Sequence, residues 1–272
     1  MDHIPSSVYR FQLSKTFKIS DATKQISYLH DLGIEGVYCS PIFQAHDYGY
    51  DVTNPNLFNP DLGTLQEFEL FCAELKAHNM KQILDIVPNH MGIKGNKNEW
   101  WIDVLRNGKQ SRFADYFDID WQTLNGKVLL PILGDTLEKV LANNLISRPS
   151  PEWIQYYDYL LPIHAGFETD LQKILEKQHY VLCHWRLADE KLNYRRFLTI
   201  NDLIGIRIEH EHVYHSHHKW AFELLHANKV QGLRIDHPDG LYDPTQYIER
   251  IAKEAPPLIW LEKILEESEQ LP

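Results

Sequence analysis

Three carboxylates stand at or near the ends of three apolar runs. Asp236 follows Val230, Leu233 and Ile235 and precedes His237-Pro238-Asp239-Gly240; Asp85 lies in Lys81 to Val87, just ahead of Pro88-Asn89-His90; Glu262 closes the run from Pro257 to Leu261. Short apolar runs bounded by Pro and Gly read as buried strands that stop at a turn, because Pro lacks an N–H and Gly bends most easily. In barrels and open α/β sheets that end of the strand is where chemistry collects. Carboxyl groups there suit nucleophilic or general acid–base work, and Asp236 and Glu262 are the candidates. Arg234, two residues before Asp236, shares its side of the strand and is expected to hold it ionised and oriented. Glu262, at the end of an apolar strand, is placed for the acid role. Taken alone, an Arg–Asp pair at a strand end is equally a structural cap.

The three stretches together carry more. Asp85-Ile86-Val87-Pro88-Asn89-His90, then Gly232-Leu233-Arg234-Ile235-Asp236, then Glu262 resemble the sugar-binding end of the α-amylase superfamily of retaining glycosidases and transglycosylases. Gln178-His179-Tyr180, Trp185-Arg186, Asn193 to Phe197, Trp100 to Leu105 and Gly126 to Pro131 narrow the resemblance to the maltooligosyl trehalose synthase family, from about Tyr9 to Pro272. Members of that family are much longer. The resemblance implies an intramolecular transfer that turns the reducing-end α-1,4 bond of a maltooligosaccharide into an α,α-1,1 bond. It implies Asp236 and Glu262 as catalytic residues, Tyr50, Asp51, Asp47, Asn89, His90, Arg234 and His237 as substrate-binding residues, Asp85 as a support, and no cofactor or metal. An α-glucan hydrolase of the α-amylase or α-glucosidase type uses the same carboxylates, and an inactive remnant or half of a split enzyme would keep them. The segment Asp47-Tyr48-Gly49-Tyr50-Asp51 is closer to exo-acting α-glucosidases than the longer loop usual in trehalose-forming relatives. The superfamily's third catalytic Asp, on a later strand, has no candidate here.

Composition bounds the partners. The chain has 272 residues, 43% of them apolar and 12% aromatic, enough to bury a large core within the usual size of one α/β barrel. A net charge of −11 argues against nucleic acid or an anionic membrane as partner and fits a neutral sugar. No apolar run reaches the length of a signal peptide or a membrane span, so a cytoplasmic protein is expected. Cys39, Cys72 and Cys183, odd in number and widely spaced, read as free thiols.

The elements that must position the carboxylates alternate. Val8 to Leu13 is a first strand, Ser20 opens a helix that Gly33 ends, and Gly36 to Pro41 is a second strand. Leu65 to His78 is a helix and Ile83 to Val87 a third strand; Tyr214 to Ala227 leads into a fourth, and Asp243-Pro244 starts the helix before the fifth, Leu258 to Leu261. This order predicts an α/β fold, an incomplete (β/α)8 barrel of about five strands. Residues 1–90 hold strands one to three, 91–229 an inserted subdomain and connecting helices, and 230–272 strands four and five. Two sheet edges are left open, to which a C-terminal polypeptide would add. In the insert, Trp100, Trp101, Trp121, Trp153 and Trp185 with several tyrosines read mostly as core. His210, His212, His215, His217 and His218 read as a polar helix face and not a metal site, lacking an obvious acidic or Cys partner.

Overall fold

The structure is a computed structural model and describes residues 4–47, 49–164, 168–254 and 256–270. These fall into two compact units, residues 1–89 with 208–272, and residues 90–207.

The first unit is built on five strands, β1 Val8–Phe11, β2 Gly36–Cys39, β3 Lys81–Ile86, β4 Gly232–Ile235 and β5 Leu258–Leu261, which lie side by side in chain order. Every pairing among them is parallel. Among the described residues β1 and β5 pair on one side only, so the sheet is an incomplete (β/α)8 barrel, as the alternation of elements predicts. The three strands that carry the acids approach closely at Gly232, where a Cβ would stand 2.8 Å from that of Leu258 and 3.3 Å from Ile83 Cγ1. On β4 Leu233 and Ile235 are fully buried, while Arg234 faces the other side.

Helices cover the sheet, and their ends follow from local chemistry. Thr64 caps the helix Leu65–Ala77 by accepting from Glu67 N–H, and the Glu67 carboxylate accepts from Thr64 N–H in return. That helix buries Phe68, Phe71 and Leu75, each worth about 1.5–3 kcal/mol of transfer free energy. The helix predicted to run from Ser20 to Gly33 is instead two, Ile19–Thr23 and Ile26–Asp31. Thr23 is β-branched, and its hydroxyl donates to the Ile19 carbonyl at the break, a bond that competes with the helical ladder.

The histidine-rich helix spans Glu211–His226; His212 and His215 are exposed on it, as expected of a polar face, but two others are not. His217 and His218 are buried, and His218 sits between the Tyr214 carbonyl, 2.9 Å from Nδ1, and the Tyr247 hydroxyl, 2.7 Å from Nε2. Burial pushes the His218 pKa down to about 4, so its neutral ring packs as part of the core.

The second unit has sheets of its own. The strands Ile146–Ser150, Trp153–Tyr156 and Tyr159–Pro162 form an antiparallel sheet, Val128–Leu133 pairs with Tyr180–His184 in parallel, and His90–Gly92 pairs with Leu203–Gly205 antiparallel. Trp101, Phe117, Tyr180 and Tyr194 are core residues, whereas Trp185 and Tyr157 are exposed. Among the described residues no helix is long and apolar enough to cross a membrane.

Candidate active site

The carboxyl ends of β3, β4 and β5 gather the predicted acids around one guanidinium. Register places Arg234 opposite Asp85 on one side and Trp260 on the other. Arg234 Nη1 donates to Asp85 Oδ1 at 2.9 Å and to Asp236 Oδ1 at 2.6 Å, and Nη2 lies 3.1 Å from Glu262 Oε1. The second oxygen of Glu262 accepts from the His237 N–H at 2.9 Å. The Asp85 side chain is fully buried and that of Asp236 nearly so, while that of Glu262 is 38% exposed, so it alone of the three opens substantially to solvent.

Burial dominates the electrostatics. It pushes the Asp85 pKa up to about 7, against the pull of Arg234 and of the Tyr50 hydroxyl. The Asp236 pKa is also raised, by burial first; Arg234 opposes the shift, and the negative charge of the Glu262 carboxylate adds to it. Arg234 does bond Asp236 and pulls its pKa down, as its spacing predicts, but burial outweighs that pull. For Arg234 burial acts downward, but the Asp85 and Asp236 carboxylates outweigh it and hold its pKa above the usual value.

The turn after Asp236 is under strain. His237 adopts a left-handed conformation, φ +44°, before the short turn Pro238–Gly240. Such geometry costs on the order of 1 kcal/mol and persists where neighbours enforce it. The His237 ring lies over Gly240: a Cβ there would stand 2.6 Å from His237 Cδ2 and 2.8 Å from Asn89 Oδ1. Asn89 is buried below this turn.

Tyr50, Asp51 and Asp47 lie on the loop between the strands Phe43–Ala45 and Val52–Phe58. The Tyr50 hydroxyl donates to Asp85 Oδ2 at 2.8 Å, and the Arg234 guanidinium lies 5.9 Å from the centre of its ring. Asp47 and Asp51 are tied to one another, the Asp47 N–H donating to Asp51 Oδ2 at 2.7 Å, and His46 Nδ1 is 2.8 Å from Asp47 Oδ2. Tyr48 lies outside the described residues. A cavity of about 540 Å³ opens on this side, lined among others by Gln12, Lys15, Ser40, Asp47, Asn59 and Asp61. His90 opens the second unit, where it is buried and stacks on Phe197 with ring centres 4.4 Å apart. Sequence reasoning missed Arg10 and Tyr38. Arg10 Nε donates to the Tyr38 hydroxyl at 2.7 Å and Nη2 to the Tyr50 hydroxyl at 3.1 Å. The signal was present: in Tyr9-Arg10-Phe11-Gln12, strand alternation puts Arg10 on the side opposite the buried Phe11.

A parallel sheet with an Arg, two Asp and a Glu converging at its carboxyl end has the architecture of an α-amylase catalytic domain. Residues 10–255 match the family described as Alpha amylase, catalytic domain, and the chain belongs to that family. Within it, the chain is similar to the structure of maltooligosyltrehalose synthase from Arthrobacter ramosus, at 37% identity and a TM-score of 0.92 over 98% of this chain and 36% of that one. It is 35% identical over 277 residues to a Mycobacterium tuberculosis protein carrying the provisional name maltooligosyl trehalose synthase, covering 97% of this chain and 35% of that protein. Maltase A1 of Drosophila melanogaster is 38% identical over 190 residues, 69% of this chain and 28% of its own. The chain thus spans about a third of the length of the synthases it matches.

Proposed function

We propose that this chain is the N-terminal portion of a maltooligosyl trehalose synthase and carries the two carboxyls of its bond-exchange chemistry. The observation that carries the reading is Asp236 and Glu262 at the ends of adjacent strands, joined by one Arg234 guanidinium, in a chain similar to synthases along nearly its whole length. In this reading Asp236 attacks the anomeric carbon of the penultimate glucose while Glu262 protonates the departing oxygen. The released glucose stays bound, and Glu262, now a base, takes the proton from its anomeric hydroxyl, which attacks the glycosyl-enzyme to form the α,α-1,1 bond. Tyr50 offers an apolar ring face to the donor sugar, and Asp47, Asp51, Asn89, His90 and His237 act in binding it or in holding the residues that do. Closure against water separates this outcome from hydrolysis. The remaining barrel strands and a third carboxylate come from a C-terminal polypeptide, without which residues 1–272 are inactive. The free thiols and the acidic composition suit a cytoplasmic setting.

An α-glucan hydrolase is the second reading, favoured by the short Asp47-Tyr48-Gly49-Tyr50-Asp51 loop and the likeness to Maltase A1. Maltopentaose incubated with this chain joined to its C-terminal continuation decides between them. A non-reducing product of unchanged chain length supports the synthase; glucose or maltose with rising reducing power refutes it in favour of the hydrolase.

A further inference from the structure

We propose that Arg10 is a positioning residue of this site: from β1 it fixes which way the Tyr50 hydroxyl points its hydrogen, so that Tyr50 donates to Asp85. Guanidinium groups have donors and no acceptor, whereas a phenol has one hydrogen to give. Arg10 Nη2 reaches the Tyr50 oxygen at 3.1 Å, so that oxygen must accept there, and its own hydrogen is left for Asp85 Oδ2 at 2.8 Å. The Arg10 guanidinium is itself held, by its Nε bond to the Tyr38 hydroxyl and by lying 5.3 Å from the centre of the Tyr38 ring. Donation then runs one way, from Arg10 through Tyr50 to Asp85, which also accepts from Arg234. Two donors aimed at a carboxyl favour its ionised form, which accepts on both oxygens.

The polarity matters because Asp85 is finely balanced. Burial lifts its pKa to about 7, so near neutrality small inputs decide its charge. The titratable and charged groups around it are Cys39 on β2, Tyr50 on the loop, and Arg234 and Asp236 on β4, with Glu262 reached through Arg234. Were Asp85 to protonate, its hydroxyl would turn donor toward Tyr50, and Arg234 would lose its buried counter-charge and shift its hold on Asp236. Arg10 guards against that at one remove. The catalytic consequence rests on the glycosyl-transfer reading, but the hydrogen-bond polarity does not.

The test is carboxyl-carbon NMR of the chain itself, with Asp85 assigned from an Asp85→Asn spectrum. Arg10→Gln should raise the Asp85 midpoint by about 0.5 to 2 pH units, the range for removing a unit charge roughly 6 Å away. Arg10→Lys, which keeps charge but reaches a single partner, should recover part of the shift and covers the case in which Arg10→Gln fails to fold. In a Tyr50→Phe background the Arg10→Gln shift should shrink to less than half. An unchanged midpoint in Arg10→Gln, or in Arg10→Lys if only that folds, overturns the proposal; an equal shift with and without the Tyr50 hydroxyl overturns it as well, since Arg10 would then act as a distant charge alone. None of these outcomes depends on which sugar product the complete enzyme makes.

Discussion

Arg234→Met removes the one cation shared by three carboxyls, and the structure sets both the size and the pH dependence of the damage. Removing one partner of a buried pair costs about 3–5 kcal/mol, and Asp85 and Asp236 are both buried partners of Arg234. Glu262 is 38% exposed and adds at most about 1 kcal/mol after screening. A loss of about 4 kcal/mol at pH 8 follows, a large part of the 5–15 kcal/mol typical of a folded domain. At lower pH the buried acids escape the cost by binding protons. Their folded pKa values already lie above the unfolded value of 3.8, Asp85 at about 7, and losing Arg234 raises them further. A raised acid binds more protons folded than unfolded, so its contribution to stability is full below the unfolded pKa and is lost as pH climbs through the folded one. The gap between wild type and variant must therefore widen as pH rises toward 8, by about 1.4 kcal/mol for each pH unit over which the variant's acid stays protonated while the wild type's has ionised. Urea unfolding followed by circular dichroism reads this as a midpoint drop of about 1.5 M at pH 8 and a smaller one at pH 5. A drop equal at both pH values would refute the argument, because it would mean Arg234 acts through packing and not through charge.

Asp236→Asn and Glu262→Gln should each lower turnover of the complete enzyme on maltopentaose by at least about a thousandfold with its melting temperature little changed; a smaller loss removes that residue from the catalytic pair. Gly240→Ala should cost about 1–3 kcal/mol and impair activity, since its Cβ would press on the His237 ring and the Asn89 carbonyl oxygen. Chemical denaturation and an assay on the same sample check both halves. Gly232→Ala should destabilise by a similar amount through prising β4 from β5, and a neutral result there would mean that the strands can separate without loss.

What the sequence made legible was the chain's punctuation. The five strands and the acids near their ends are readable because each apolar run is stopped by Pro, by Gly or by a polar turn, and those stops are local chemistry. Arg10 escaped notice because a charged residue in a first strand reads as solvent-facing, and only pairing with β2 turns it toward Tyr38 and Tyr50. The raised pKa of Asp236 was illegible for a related reason: the favourable pull of Arg234 is visible two residues away in sequence, whereas the burial that outweighs it comes from distant segments. The internal sheets of residues 90–207 were hidden by short strands without alternation, one of them, Val128–Leu133, containing Pro131. His218 misled because a run of histidines looks polar, though its ring is mostly carbon and packs as core with its nitrogens met by Tyr214 and Tyr247.

The pairing of His90–Gly92 with Leu203–Gly205 has a consequence for how such a chain can vary. Gly205 lies opposite His90, and Ile93 N–H donates to the Asp202 carbonyl, so the first and last strands of the second unit clasp one another. A floppy segment of roughly 120 residues would cost about 3 kcal/mol more to close than a four-residue turn. With its ends clasped, the long excursion behaves like the tip of a hairpin, and its interior can grow, shrink or be exchanged without taxing the strands on either side.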